Sequence, residues 1–186
     1  MIENKSQYSY QPYFCEENIW HLARRLPTVS GVQPLVLFFV NRQKTVMMEE
    51  QLAMGPLQQG IWDYHVVLCV PDKRVIVDFD SSLGFLVDLE HYFSKSFPDQ
   101  EWIDEDFRAT VRLIEARDYL EFFSSDRSHM IDGEGNAIAP FPDWPMIHAD
   151  SDPLRLVDLR DADFRDSRLK DLSITSFLKD VLGKTK

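Results

Sequence analysis

Residues 64 to 80 read YHVVLCVPDKRVIVDFD. Two β-rich runs, Tyr64–Val70 and Arg74–Asp80, flank the short turn Pro71-Asp72-Lys73, the pattern of an antiparallel hairpin. Upstream, Pro34–Asn41 (PLVLFFVN) is apolar without interruption, as in a strand covered on both faces. Val46–Met48 adds a short strand before a Gly55-Pro56 loop, and Phe107–Glu115 (FRATVRLIE) alternates as another strand.

Helical spacing brackets these strands. Ile19, Leu22, Ala23 and Leu26 fall on one face of residues 16–26, with Glu17, Arg24 and Arg25 opposite, and Pro27 ends the run. Leu86–Phe97 predicts a helix with Leu86, Leu89, Tyr92 and Phe93 on one side, and Ala116–Phe123 a short one. Residues 124–153 are loop-rich, and Thr175 or Ser176 is expected to cap a last helix that stops at Gly183. The sum is an α+β fold: one domain over residues 1–186, a largely antiparallel sheet flanked by helices, with residues 1–12 as a flexible lead-in.

At 186 residues, with 44% hydrophobic and 12% aromatic side chains, the chain has the material for a sizeable core. A net charge of −11 disfavours nucleic acid and anionic membrane surfaces alike. The opening MIENKSQYSYQ has no apolar core of a signal peptide, and no apolar run reaches the ~20 residues of a membrane span. Two cysteines make no disulfide framework, so the expected setting is a reducing cytoplasm. The expected state is a monomer.

The first cysteine lies in YFCEENIW, residues 13–20, where the first amphipathic helix begins. Free backbone N–H groups and the positive end of the helix dipole lower a thiol's pKa there and offer donors to an oxyanion. Glu16 and Glu17 act in the opposite sense, so a base is wanted; alternatively, Cys15 is a small buried hydrophobe. His65 opens an apolar strand, a costly position unless something hydrogen-bonds it. A turn centred on Asp72 and Lys73 sets Asp80 opposite His65 and Asp78 diagonal to it, both on one side of the sheet. The hairpin register does not choose between the two carboxylates.

A cysteine at a helix start, then a histidine, then an aspartate on the next strand is the order of a papain-like or transglutaminase-like triad. It points to acyl transfer on an amide or ester. Cys69, inside the strand, reads as core filling, and His21, His91 and His148 share no ligand spacing. No metal site, phosphate loop or cofactor is expected.

CEENIW (15–20), IWDYHVVL (61–68), DFD (78–80) and YLEFFSSDRSHM (119–130) resemble the protein N-terminal glutamine amidohydrolases in order and in uncommon strings. The resemblance implies a transglutaminase-like α-β-α arrangement and deamidation of an N-terminal glutamine to glutamate in protein or peptide substrates. It carries the triad onto Cys15, His65 and Asp78. Departures are a shorter segment between the first two motifs, Val77 before the aspartate, and a divergent stretch from Asp150 onward.

Reading a chain terminus also needs a partner for the α-ammonium, and Asp63, on the His65 face, is the candidate. Ser128 and His129 are positioned to close over the site, Arg127 to pin that loop by pairing with an acid, and Trp62 and Tyr64 to pack the core. The rival readings are another cysteine acyl-transfer enzyme, peptidase or transglutaminase-like, and a non-catalytic module binding N-terminal peptides.

Overall fold

The computed structural model of the protein describes residues 4–26, 33–53, 60–98 and 100–183. The expected stop at Pro27 and the Gly55-Pro56 loop lie outside the described residues. In chain order the elements are α1 (Cys15–Arg24), β1 (Leu35–Val40), β2 (Val46–Met48), β3 (Gly60–Trp62), β4 (His65–Val70) and β5 (Val75–Val77). There follow β6 (Leu86–Asp88), α2 (Leu89–Ser96), β7 (Thr110–Glu115), α3 (Ala116–Phe122) and β8 (Phe123–Ser124). The chain closes with β9 (Leu154–Arg155), α4 (Leu156–Leu159), β10 (Leu169–Ser173) and α5 (Ile174–Gly183).

Six strands form one antiparallel sheet in the order β10-β7-β1-β4-β5-β6. β1 and β4 lie inside it, and their period-2 alternation sends side chains to two separate cores. Val36, Phe38, Val66 and Leu68 pack with Ile19 and Leu22 of α1 and Tyr119 of α3. Leu37, Phe39, Val67 and Cys69 pack with Leu89, Tyr92 and Phe93 of α2 and Phe177 and Val181 of α5. Helices therefore cover both faces, which is why these two strands tolerate no polar residue between Leu35 and Val40 or between Val66 and Val70.

The hairpin has the anticipated register, Val70 opposite Val75 and Leu68 opposite Val77, around a 3₁₀ turn at Pro71–Lys73. Its second strand stops at Val77, three residues short of the expected end. The Asp80 N–H turns back onto the Asp78 carboxylate at 2.8 Å, a local contact that replaces the ladder.

Three further boundaries differ from expectation. Leu86–Asp88 is an edge strand on β5 rather than a helix start, because the Asp88 carboxylate caps α2 by accepting the His91 N–H. Glu105–Phe107 is a 3₁₀ turn ahead of β7. The Ser173 hydroxyl, not Thr175 or Ser176, accepts an N–H in the first turn of α5.

Residues 4–12, part of the expected lead-in, make specific contacts here. Asn4 caps the 3₁₀ turn Lys5–Gln7, and the Tyr10 ring stacks on Phe79. Gln11 is clasped by the Asn18 side chain through both its N–H and its C=O. The divergent C-terminal region is fastened by Arg112. This fully buried guanidinium grips Asp171 through two N–H groups at 2.9 and 2.8 Å and also donates to the Leu159, Asp161 and Phe164 carbonyls. Among the described residues no helix is long and apolar enough to cross a membrane.

Candidate active site

Cys15 is the first residue of α1, and the preceding Phe14 is wholly buried. The N-cap residue, Phe14, has no polar side chain to cap the helix start, and Asn18 spends its amide on Gln11. His65 is the first residue of β4 and is 1% exposed. Both line a cavity of about 340 Å³, together with residues including Tyr10, Trp62, Asp63, Tyr64, Asp80 and His129. That is near the small end of ligand pockets, ~300–1,000 Å³.

His65 Nε2 lies 3.0 Å from Asp78 Oδ1, and both side chains are buried. Asp78 is held from every side: Tyr92 Oη donates to Oδ2 at 2.8 Å, Gln51 Nε2 to Oδ2 at 3.3 Å, and the Asp80 N–H to Oδ1. Burial by itself would lower the His65 pKa, but the Asp78 carboxylate overrides it and leaves the imidazole raised. Burial works against Asp78 too, and the His65 partner with its added donors brings that carboxyl down. With Nε2 committed to Asp78, Nδ1 is the nitrogen left for a proton from elsewhere.

The thiol differs from the expectation drawn from its helix-start position. Burial pushes Cys15 well above the usual thiol range, the Glu16 carboxylate pushes it further, and the Val66 backbone N–H pulls only partly the other way. Cys15 Sγ lies 3.7 Å from Glu16 Oε2, which also accepts the Tyr64 hydroxyl at 2.9 Å. Glu16 is itself pushed up to about 7 by burial. Its other oxygen has no hydrogen-bond partner and stands 3.5 Å from His129 Nε2. Cys15 is thus held as a neutral thiol in the same cavity as an imidazole whose proton affinity is raised.

The remaining predicted residues divide. Asp63 lines the cavity but is half-exposed and accepts an Arg160 N–H at 2.8 Å. His129 reaches the cavity; burial pulls its imidazole down to about 4, so it is neutral. Ser128 does not line that cavity and faces a smaller depression of about 140 Å³ with Lys44 and Arg160. Arg127 grips Glu17 with two N–H groups at 2.9 and 2.8 Å. Trp62 lines the cavity beside the His65 ring rather than serving only as core. Cys69 is buried in apolar surroundings that push it up to about 12.

Sequence reasoning missed Tyr10, Gln51 and Tyr92. Tyr92 did leave a signal, since a tyrosine on the buried face of a helix needs a partner for its hydroxyl.

A family model described as N-terminal glutamine amidase matches residues 10–175. The chain is 35% identical over 156 residues to the protein N-terminal glutamine amidohydrolase of Bos taurus, covering 80% of this chain and 75% of that one. The protein of the same name from Homo sapiens is also 35% identical over 156 residues, covering 80% and 76%. That from Caenorhabditis elegans is 31% identical over 155 residues, covering 81% and 83%. With the match running from the Tyr10 segment through both cavity walls into α5, the chain belongs to the N-terminal glutamine amidase family.

Proposed function

We propose that the protein hydrolyses the side-chain amide of an N-terminal glutamine, giving glutamate and ammonia, with Cys15 as nucleophile, His65 as base and then acid, and Asp78 as its orienting carboxylate. The observation that carries this reading is the buried His65 Nε2–Asp78 contact at 3.0 Å, facing the cavity that Cys15 also lines. His65 takes the thiol proton through Nδ1 as Sγ bonds to the carboxamide carbon. The Cys15 backbone N–H, at an uncapped helix start, is a donor for the oxyanion. The C–N bond then breaks, and ammonia leaves with the proton from His65. Water, deprotonated by the same imidazole, attacks the thioester; the C–S bond breaks and the proton returns to the thiol.

Every step uses side chains, backbone and water, without a cofactor. His129, neutral and without a hydrogen-bond partner at either ring nitrogen, is a contact for the polar atoms of the substrate's first residue. The reading fits a single chain in the cytoplasm, where both cysteines remain free thiols.

The test is ammonia release from a peptide beginning with glutamine. Cys15→Ala should abolish release with the fold retained, and an alkylating reagent should label Cys15 ahead of the buried Cys69. A turning-over Cys15→Ala variant would sink the assignment. Asp78→Asn should lower the rate by up to ~10⁴, because an amide stabilises neither the imidazolium nor the required tautomer. A peptide product instead of ammonia would indicate a peptidase on the same scaffold.

A further inference from the structure

We infer that Asp80, held in place by Tyr10, is the carboxylate that receives the substrate's α-ammonium, so that Asp80 rather than Asp63 makes the site read a free chain terminus. The inference rests on the function proposed above and adds a specificity-determining residue to it.

Asp63 and Asp80 are the two carboxylates lining the Cys15 cavity among the described residues. Their surroundings differ. Asp63 Oδ2 accepts from Arg160 at 2.8 Å and Oδ1 from the Tyr64 N–H at 3.1 Å, and the side chain is 48% exposed. An incoming ammonium would compete with a guanidinium and with water. Asp80 has no arginine or lysine in ion-pair contact among the described residues. Lys5, the cation of the neighbouring segment, donates instead to the Phe79 carbonyl and lies 4.0 Å over the Tyr10 ring. Burial raises the Asp80 carboxyl, and His65, the Tyr10 hydroxyl and the more distant Lys5 offset this only in part, so a cation in direct contact would relieve it further.

The position of Asp80 is also fixed. Tyr10 Oη donates to Oδ1 at 2.5 Å, the Asp80 N–H donates to Asp78 at 2.8 Å, and its carbonyl accepts the Leu52 N–H at 2.6 Å. The carboxylate therefore stands two residues from the acid that orients His65, on the same rigid turn. An ammonium held on that turn is set at a constant reach from Sγ, so side-chain length decides which amide meets the thiol. A second polar group on the wall, His129, is 8% exposed with neither ring nitrogen partnered, and being neutral it does not repel the ammonium.

The experiment has a binding arm and a turnover arm. In a Cys15→Ala background, calorimetry compares a glutamine-starting peptide with its acetylated form. The free terminus should bind roughly tens- to thousands-fold tighter, as for loss of one partner of a buried charge pair. Adding Asp80→Asn should erase that difference, Tyr10→Phe should shrink it, and Asp63→Asn should keep it. With Cys15 present, Asp80→Asn should raise KM for the free terminus more than it lowers kcat.

Discrimination that survives Asp80→Asn, or collapses with Asp63→Asn, overturns the inference. So does a loss confined to kcat, which would make Asp80 an electrostatic neighbour of His65 only. If the binding difference depends on Asp80 yet the unmodified protein frees no ammonia, the inference stands and the catalytic reading falls.

Discussion

Glu16 and Glu17 are adjacent in the chain, both wholly buried in the first turn of α1, and meet opposite fates. The helical turn between them sends Glu17 toward the loop that carries Arg127 and Glu16 toward the cavity. Glu17 takes two N–H groups from Arg127 and the Trp144 indole N–H at 2.6 Å, so its charge is fully met. Among the described residues Glu16 meets a tyrosine, a thiol and a neutral histidine, with no cation in contact and one oxygen unpartnered. One acid ties two segments together, and the other sits with its proton poised near neutrality. The lesson is that burial alone does not set what a carboxyl does; the charge state of its partners does.

The strongest way to break this comparison is to remove the Glu17 partner. Arg127→Met should cost about 3–5 kcal/mol in denaturant unfolding, because an uncompensated buried carboxylate remains. An effect below ~1 kcal/mol would show that the pair is not structural.

Next comes pH. Glu16 binds a proton more tightly folded than unfolded, so the stability it contributes is greatest below the ordinary carboxylate range. That contribution falls as pH rises to about 7, then stays level. Glu16→Gln removes this dependence. Relative to wild type the variant should therefore gain a few kcal/mol between pH 4 and pH 8, each tenfold difference in proton affinity being worth roughly 1.4 kcal/mol. A stability gap that does not move with pH would place Glu16 in the same class as Glu17.

The smallest expected effect is Tyr64→Phe, which deletes a donor to Glu16 Oε2. It should cost about 2 kcal/mol at pH 8, where the acceptor is charged, and about 1 kcal/mol at pH 5. Equal losses at both pH values would mean that Glu16 does not change charge between them.

Much of this was readable from the residues alone. Continuous apolar runs at Leu35–Val40 and Val66–Val70 announced a sheet covered on both faces, and the turn at Pro71–Lys73 carried the hairpin register. That same register, extended, sets Asp80 opposite His65, yet pairing ends at Leu68–Val77 and it is Asp78 that meets the imidazole. Strand periodicity has no authority past the last ladder bond, where a side-chain-to-backbone contact redirects the chain. The roles of Glu16 and Tyr10 were illegible for another reason. Their partners lie 48 and 70 residues away, and long-range hydrogen bonds leave no local pattern. Arg112 was hidden too, because an arginine in an alternating strand reads as a solvent-facing residue until Asp171 and the 159–164 carbonyls surround it.

Arg112 has a consequence for how the chain is made. Synthesis delivers Cys15, His65 and Asp78 early, but the partners of Arg112 emerge only with residues 159–171. Until then the Arg112 guanidinium stays hydrated on the outer side of β7, because the segments that bury it are the ones that pair with it. A nascent chain still on the ribosome therefore carries Cys15, His65 and Asp78 before the outer strand of the sheet is in place. The arginine thus works as a completion check on the sheet's outer edge: β10 docks on β7 by bringing the carboxylate that neutralises it.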